Sequence, residues 1–276
     1  MGQLKEERAM DDSAAMAEGI ARLFGAANMP LLADESLYAG IPLPALAGIH
    51  EALSEQRTDD DAKKFRNRMR YAGILKERTS NTFKWDDGTY PLVGPGLIEQ
   101  ALTIGFVRQR KNLIMAGPPG AGKSLLAAII ACKAIREGFS VKYKTAHDIS
   151  VELREARSGN SLSGYIKKMQ AYDLLVIEDI TFSAPEIKTA QAFFSIIDKR
   201  YARKSTIITT NGNVKEWAGN FPDKSMFAAL LGRIYEEALL LNMNGAVDMR
   251  LRLANDALGG DAAIGAMHAG GGSFDA

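Results

Sequence analysis

The octet GPPGAGKS, Gly117 to Ser124, has the spacing G-x-x-x-x-G-K-[ST]. Those residue types at that spacing suit one chemistry, the cradling of a polyphosphate. Phosphates carry dense negative charge, and a helix N-terminus offers free N–H groups together with the positive end of its dipole. Gly120 and Gly122 let the backbone wrap a β-phosphate without Cβ clashes. Lys123 would reach the β- and γ-phosphates, and the Ser124 hydroxyl would coordinate Mg²⁺. Gly117, Pro118, Pro119, Gly120, Ala121, Gly122, Lys123, Ser124 and Leu125 are therefore the candidate cofactor-binding residues, with ATP as the expected cofactor.

A phosphate loop needs an acidic partner for the metal on a neighbouring strand. DLLVIEDI supplies it, with an apolar run from Leu174 to Ile177 followed by Glu178 and Asp179. Carboxylates at the C-terminal end of an apolar strand lie where parallel α/β sheets bind ligands. Glu178 is the expected metal partner alongside Ser124, and Asp179 the group that polarises an attacking water. STIITTN ends in Asn211, whose amide at a strand end would orient water against the γ-phosphate.

The elements that must position these residues follow from periodicity. From about Ile98 the chain alternates. The expected order is a helix over 98–109, the run NLIMAG, a helix over 123–137, VKYKT, a helix over 146–156, DLLVIEDI, a helix over 186–203 and STIITTN. One more helix near 224–238 and a last strand in ALLLNMN complete it. Short β-type runs separated by helices predict βαβ units and an α/β fold with a parallel sheet flanked by helices. Residues 1–60 read as a helical extension broken at NMP and AGIPLP. Residues 61–97 read as a basic linker and lead-in, 98–257 as the ATPase core, and 258–276 as a disordered Gly/Ala-rich tail. The stretch 57–84 holds nine Lys/Arg against four Asp/Glu and reads as a hinge.

Composition removes several function classes. The chain has 276 residues with a net charge of +1, so contact with nucleic acid must come from a local patch. One cysteine, Cys132, permits neither an intramolecular disulfide nor a cysteine-based zinc site. It lies in AIIACKAI and reads as a small buried hydrophobe. His50, His147 and His268 lack ligand spacing. No apolar run reaches spanning length. The start MGQLKEERAM lacks a signal-peptide core, and Glu6 stands where a myristoylation site wants Ser or Thr. The expected location is cytoplasmic.

With these elements placed, the chain resembles the AAA+ ATPases of the DnaC/IstB group, the helicase loaders and transposition helper proteins. The matching stretches are YAGILKERTSNTF (71–83), LIMAGPPGAGKSLLA (113–127), DLLVIED (173–179), IIDKRYARKSTIITTN (196–211) and ALLGRIYEE (229–237). The resemblance implies a P-loop core, makes residues 1–60 the partner-binding region and makes Asn211 the first sensor. It makes Arg233 an arginine finger pointing into a neighbour's site, and Arg250 in DMRLRL a second-sensor arginine. Two departures stand out. The strand-end acids run Glu178 then Asp179, where the group carries Asp first, and Gly232–Arg233 replaces an Asp–Arg pair. Between Asn211 and the glycine-rich tail there is room for one helix and one strand, not a full C-terminal lid. Closure by another subunit, and so an oligomer with shared ATP sites, is expected.

In the resembling group the region 145–173 lines a path for single-stranded DNA. Here it offers Arg154, Arg157, Lys167 and Lys168, with Tyr165 and Tyr172 among them, a mixture suited to backbone attraction and base stacking. KKFRNRMR is a second basic candidate. The leading functional expectation is a slow, DNA- or partner-stimulated ATPase that loads a replicative helicase. The alternative is a transposition helper working with a transposase. A small-molecule kinase with the same loop, or an ATP-gated scaffold of low turnover, stands behind these.

Overall fold

The structure is a computed structural model that describes residues 2–27, 29–38, 40–80, 90–94, 96–180, 187–211 and 223–246. Arg250 and the 258–276 tail lie outside the described residues. The chain divides into two compact units, 1–68 and 69–276.

The first unit is helical. α1 (Gly2–Ala26) and α2 (Leu43–Ala72) are separated by single 3₁₀ turns at Pro30–Leu32 and Glu35–Tyr38, the first beginning at the end of NMP and the second ending just before AGIPLP. Its small core holds Ala17, Ile20, Ala21, Tyr38 and Leu46. The Tyr38 ring stacks on Phe24 with centroids 6.4 Å apart, and its hydroxyl donates to the Leu32 carbonyl at 2.6 Å. Of the basic stretch 57–84 read as a hinge, residues 57–72 belong to α2. Its Lys and Arg residues are strong helix formers that keep their charges in solvent.

The second unit is the expected α/β layer. β1 (Leu113–Ala116), β2 (Val141–Thr145), β3 (Leu174–Glu178), β4 (Ser205–Thr210) and β5 (Leu239–Asn242) form one parallel sheet in the order β2-β3-β4-β1-β5. The register sets Met115 beside Thr209 and Ile177 beside Ile208. The ends of β1, β4 and β3 are therefore contiguous. Ile114, Leu175, Ile177 and Ile208 pack on one face, against α6 (Ala146–Ser158), α7 (Leu162–Ala171), α8 (Ile187–Arg200) and α9 (Lys224–Tyr235). Alternate strand residues point to the other face, where α5 (Lys123–Arg136) packs. The central strands β1, β3 and β4 are covered on both faces and read as largely apolar or β-branched runs, whereas the edge strands β2 and β5 are only partly buried.

Two helices depart from the sequence expectation. The stretch 98–109 splits into α3 (Leu97–Leu102) and α4 (Gly105–Arg108), because buried Ile104 adopts φ 53°. The Thr103 hydroxyl donates back to the Gln100 carbonyl at 2.8 Å and accepts from the Gly105 N–H at 3.2 Å, which ends the first helix. α7 is an added helix in a stretch that carries Gly164 and buries only Met169 among its side chains. Leu162, Tyr165, Ile166 and Met169 recur at i, i+3, i+4 and i+7 and share one packed face, so the helical period is present although the stretch is short and interrupted by Gly164.

Candidate nucleotide site

β1 delivers the chain to the loop at the C-terminal edge of the sheet, and α5 receives it at Lys123. Pro118 to Ala121 form a turn in which the Ala121 N–H donates to the Pro118 carbonyl at 3.3 Å. Pro119 and Gly120, with Gly120 at φ 85°, are the residues such a turn requires. Gly122 caps α5 at φ 84°. At Gly117 a Cβ would lie 2.8 Å from the Met243 carbonyl beyond β5, so only glycine lets these two segments close.

Lys123 is 6% exposed, and its Nζ donates to the carbonyls of Gly117 at 2.6 Å and Pro118 at 2.8 Å. Burial lowers its pKa, and the charges of Asp179 and Glu178 oppose that shift. The ammonium thus stands inside the loop, facing the two strand-end carboxylates. Glu178 closes β3, and its Oε1 is buried without a hydrogen-bond partner. Such an orphaned acceptor costs stability unless something fills it. Beside it lies Tyr143, whose hydroxyl donates to the Ser124 carbonyl at 3.3 Å and whose pKa is raised by burial and then by the Glu178 charge. Asp179 sits at φ 53° with its N–H donating to the Thr209 hydroxyl at 3.0 Å. The Asn211 amide donates to the Asp179 carboxylate at 2.6 Å. The loop, Glu178, Asp179 and Asn211 are therefore gathered on three adjacent strand ends.

This donor set fits a nucleotide with a divalent ion. Ser124 and the orphaned oxygen of Glu178 would share the metal with phosphate oxygens, as Mg²⁺ sites built on few protein ligands do. Among the described residues no group of three or more His, Cys, Asp and Glu could hold a metal without such help. When bound, the ion would neutralise charge on the phosphates. Lys123 would bind and orient them, and Asp179, held by Asn211, would take the proton of an attacking water.

Other sequence candidates are not brought to this edge. Arg233 is on the last turn of α9, where its Nε donates to Asp198 at 2.6 Å and its Nη1 to the Ala229 carbonyl at 2.9 Å. The guanidinium also lies 5.1 Å from the Phe194 ring centre. Asn112, just before β1, donates to the Arg233 carbonyl at 3.2 Å. That places the Arg233 backbone at the opposite end of β1 from the loop, roughly 13 Å of strand away at about 3.3 Å per residue. Arg154 and Arg157 lie on α6, Lys167 and Lys168 on α7. Lys168 joins Lys142 and Lys144 around a groove of about 490 Å³. The tyrosines expected as stacking faces are partly buried. Tyr165 and Tyr172 pack against the core, and Tyr165 donates to Glu152 at 2.8 Å. Cys132 is 1% exposed, and burial pushes its thiol up, as an inert core residue requires.

The family model described as IstB-like ATP binding protein matches residues 46–257. An ATP-binding protein of insertion sequence IS232 from Bacillus thuringiensis is 32% identical over 155 residues, 56% of this chain and 62% of that relative. An insertion sequence ATP-binding protein from Sinorhizobium fredii is 28% identical over 218 residues, 78% of this chain and 71% of the relative. Among solved structures, the replication initiator DnaA bound to AMPPCP and single-stranded DNA superposes with a TM-score of 0.54 at 18% identity, over 67% of this chain and 56% of that one. DnaI does so with 0.50 at 20% identity, over 61% and 92%. At those identities the likeness is one of fold. With the family match spanning the loop, both strand-end acids and Asn211, the chain belongs to the IstB-like ATP-binding proteins and carries their AAA+ P-loop core.

Proposed function

We propose that the protein is an ATP-hydrolysing helper of DNA transposition, acting with the transposase of an insertion sequence and completing each ATP site with a residue from a neighbouring copy. The carrying observation is the convergence of the phosphate loop, Glu178, Asp179 and Asn211, while Arg233 stands at the far end of the strands. Among the described residues, one copy brings the loop, both acids and Asn211 to the site and brings no arginine there. The insertion-sequence names of the relatives favour a transposase partner over the replicative helicase. Single-stranded DNA remains the proposed nucleic-acid ligand, held by Arg154, Arg157, Lys167 and Lys168 through backbone charge. Arg250 would serve as the second-sensor arginine. Among the described residues no helix is long and apolar enough to cross a membrane.

The test is strand transfer by the cognate transposase, with and without this protein and ATP. Stimulation that needs ATP is the expected result. Stimulation of helicase loading without any effect on transposition would overturn the partner assignment.

The two acids should separate by role. Glu178→Gln should weaken nucleotide binding in Mg²⁺ and leave binding in EDTA unchanged. Asp179→Asn should spare binding and cut turnover about 10²-fold, at the low end for a proton-transfer group. Wild-type turnover in Asp179→Asn would move the water-activating role elsewhere.

A further inference from the structure

Tyr90 is 1% exposed, and its hydroxyl donates to the Ala121 carbonyl at 3.0 Å, 31 residues along the chain. Ala121 is equally buried and lies between Gly120 and Gly122, both of positive φ. A peptide unit is planar and trans, so the Ala121 C=O and the Gly122 N–H point in opposite directions. Fixing one aims the other. The carbonyl is turned down onto the buried tyrosine, and the Gly122 N–H is therefore turned away from it, toward the open side of the loop. That N–H has no backbone acceptor among the described residues. Glycine accepts either sign of φ, so nothing in Gly122 itself keeps this peptide unit from flipping. The selecting contact comes from outside the loop.

We propose that Tyr90 is a positioning residue for phosphate binding, holding the Ala121–Gly122 peptide so that its N–H faces the nucleotide. This rests on reading residues 117–124 as the nucleotide cradle. A flipped unit would present a carbonyl oxygen to a phosphate, exchanging an attractive contact for a repulsive one. The Tyr90 ring fills its pocket with or without the hydroxyl, so the effect belongs to a single O–H.

The test is calorimetric titration of the full-length protein with ADP and, separately, with pyrophosphate, which carries the phosphate contacts alone. Tyr90→Phe should bind both about tenfold more weakly, or about 1.4 kcal/mol, at a temperature where circular dichroism shows both proteins fully folded. Replacing Tyr90 by 4-aminophenylalanine returns a donor to the same place and should restore affinity. Wild-type affinities in folded Tyr90→Phe would overturn the proposal and leave the cradle reading standing, with Tyr90 only a packing residue. A wild-type protein that binds neither ligand would overturn the cradle reading and the proposal together.

Discussion

Lys123→Ala should lose ATP binding by about 10³-fold while keeping its fold. In the structure the ammonium is buried and its carbonyl partners are the loop's own Gly117 and Pro118. Those bonds are what a phosphate would replace, since a charged acceptor outcompetes a neutral one. Removing one partner of a desolvated charge pair costs about 2–5 kcal/mol, which brackets that loss. The cost to folding is smaller. Two carbonyls lose a donor at about 1 kcal/mol each, and a buried charge is removed at the same time. The measurement is the dissociation constant of a fluorescent ATP analogue alongside a thermal melt. Unchanged affinity in a folded variant would remove the loop from the function.

Arg233→Ala should keep ATP binding and lose hydrolysis by about 10³-fold, as arginine fingers do. The intrachain contacts of Arg233 predict far less. An ion pair whose side chains remain about a third exposed contributes about 0–1 kcal/mol, and the Phe194 contact adds about 0.5–1 kcal/mol. Asp198→Asn separates the two roles. It breaks the same ion pair but keeps the guanidinium, so hydrolysis should survive it. If Asp198→Asn and Arg233→Ala lower activity alike, Arg233 acts only by bracing α8 against α9.

The parts of this site that were legible in the sequence are those fixed locally. GPPGAGKS carries its own turn, with Pro119 and Gly120 where the backbone bends and Lys123 at the first turn of α5. The central strands β1, β3 and β4 announce themselves because both their faces are buried, and Glu178, Asp179 and Asn211 mark the ends of β3 and β4. What was not legible depends on contacts between distant segments. Tyr90 precedes the core by a stretch with no periodic signal, yet it reaches under the loop. Tyr143 lies in a strand read only as a β run; its hydroxyl donates to the Ser124 carbonyl on α5, and the pairing of β2 with β3 puts it in the field of Glu178. Arg200 stands in DKRYARK beside Lys199, Arg203 and Lys204. It is 1% exposed and donates to the carbonyls of Met169 at 2.9 Å and Tyr172 at 2.7 Å, joining the end of α7 to the start of β4. No local pattern distinguishes that arginine from Arg203, because only the fold decides which of them finds buried carbonyls. The same holds for Tyr165 and Tyr172, expected as stacking faces among basic residues, whose partial burial comes from packing against the core beneath α7.

Mixing subunits tests the shared site most directly. Lys123→Ala copies lack a working cradle but retain Arg233, and Arg233→Ala copies retain the cradle. Each variant alone should hydrolyse ATP at background with single-stranded DNA present. A mixture should regain measurable turnover, because an intact cradle then meets an intact arginine on the adjacent copy, and the gain should peak at intermediate ratios. A mixture that stays at background at every ratio and protein concentration, while the wild type turns over, would contradict a site completed between copies.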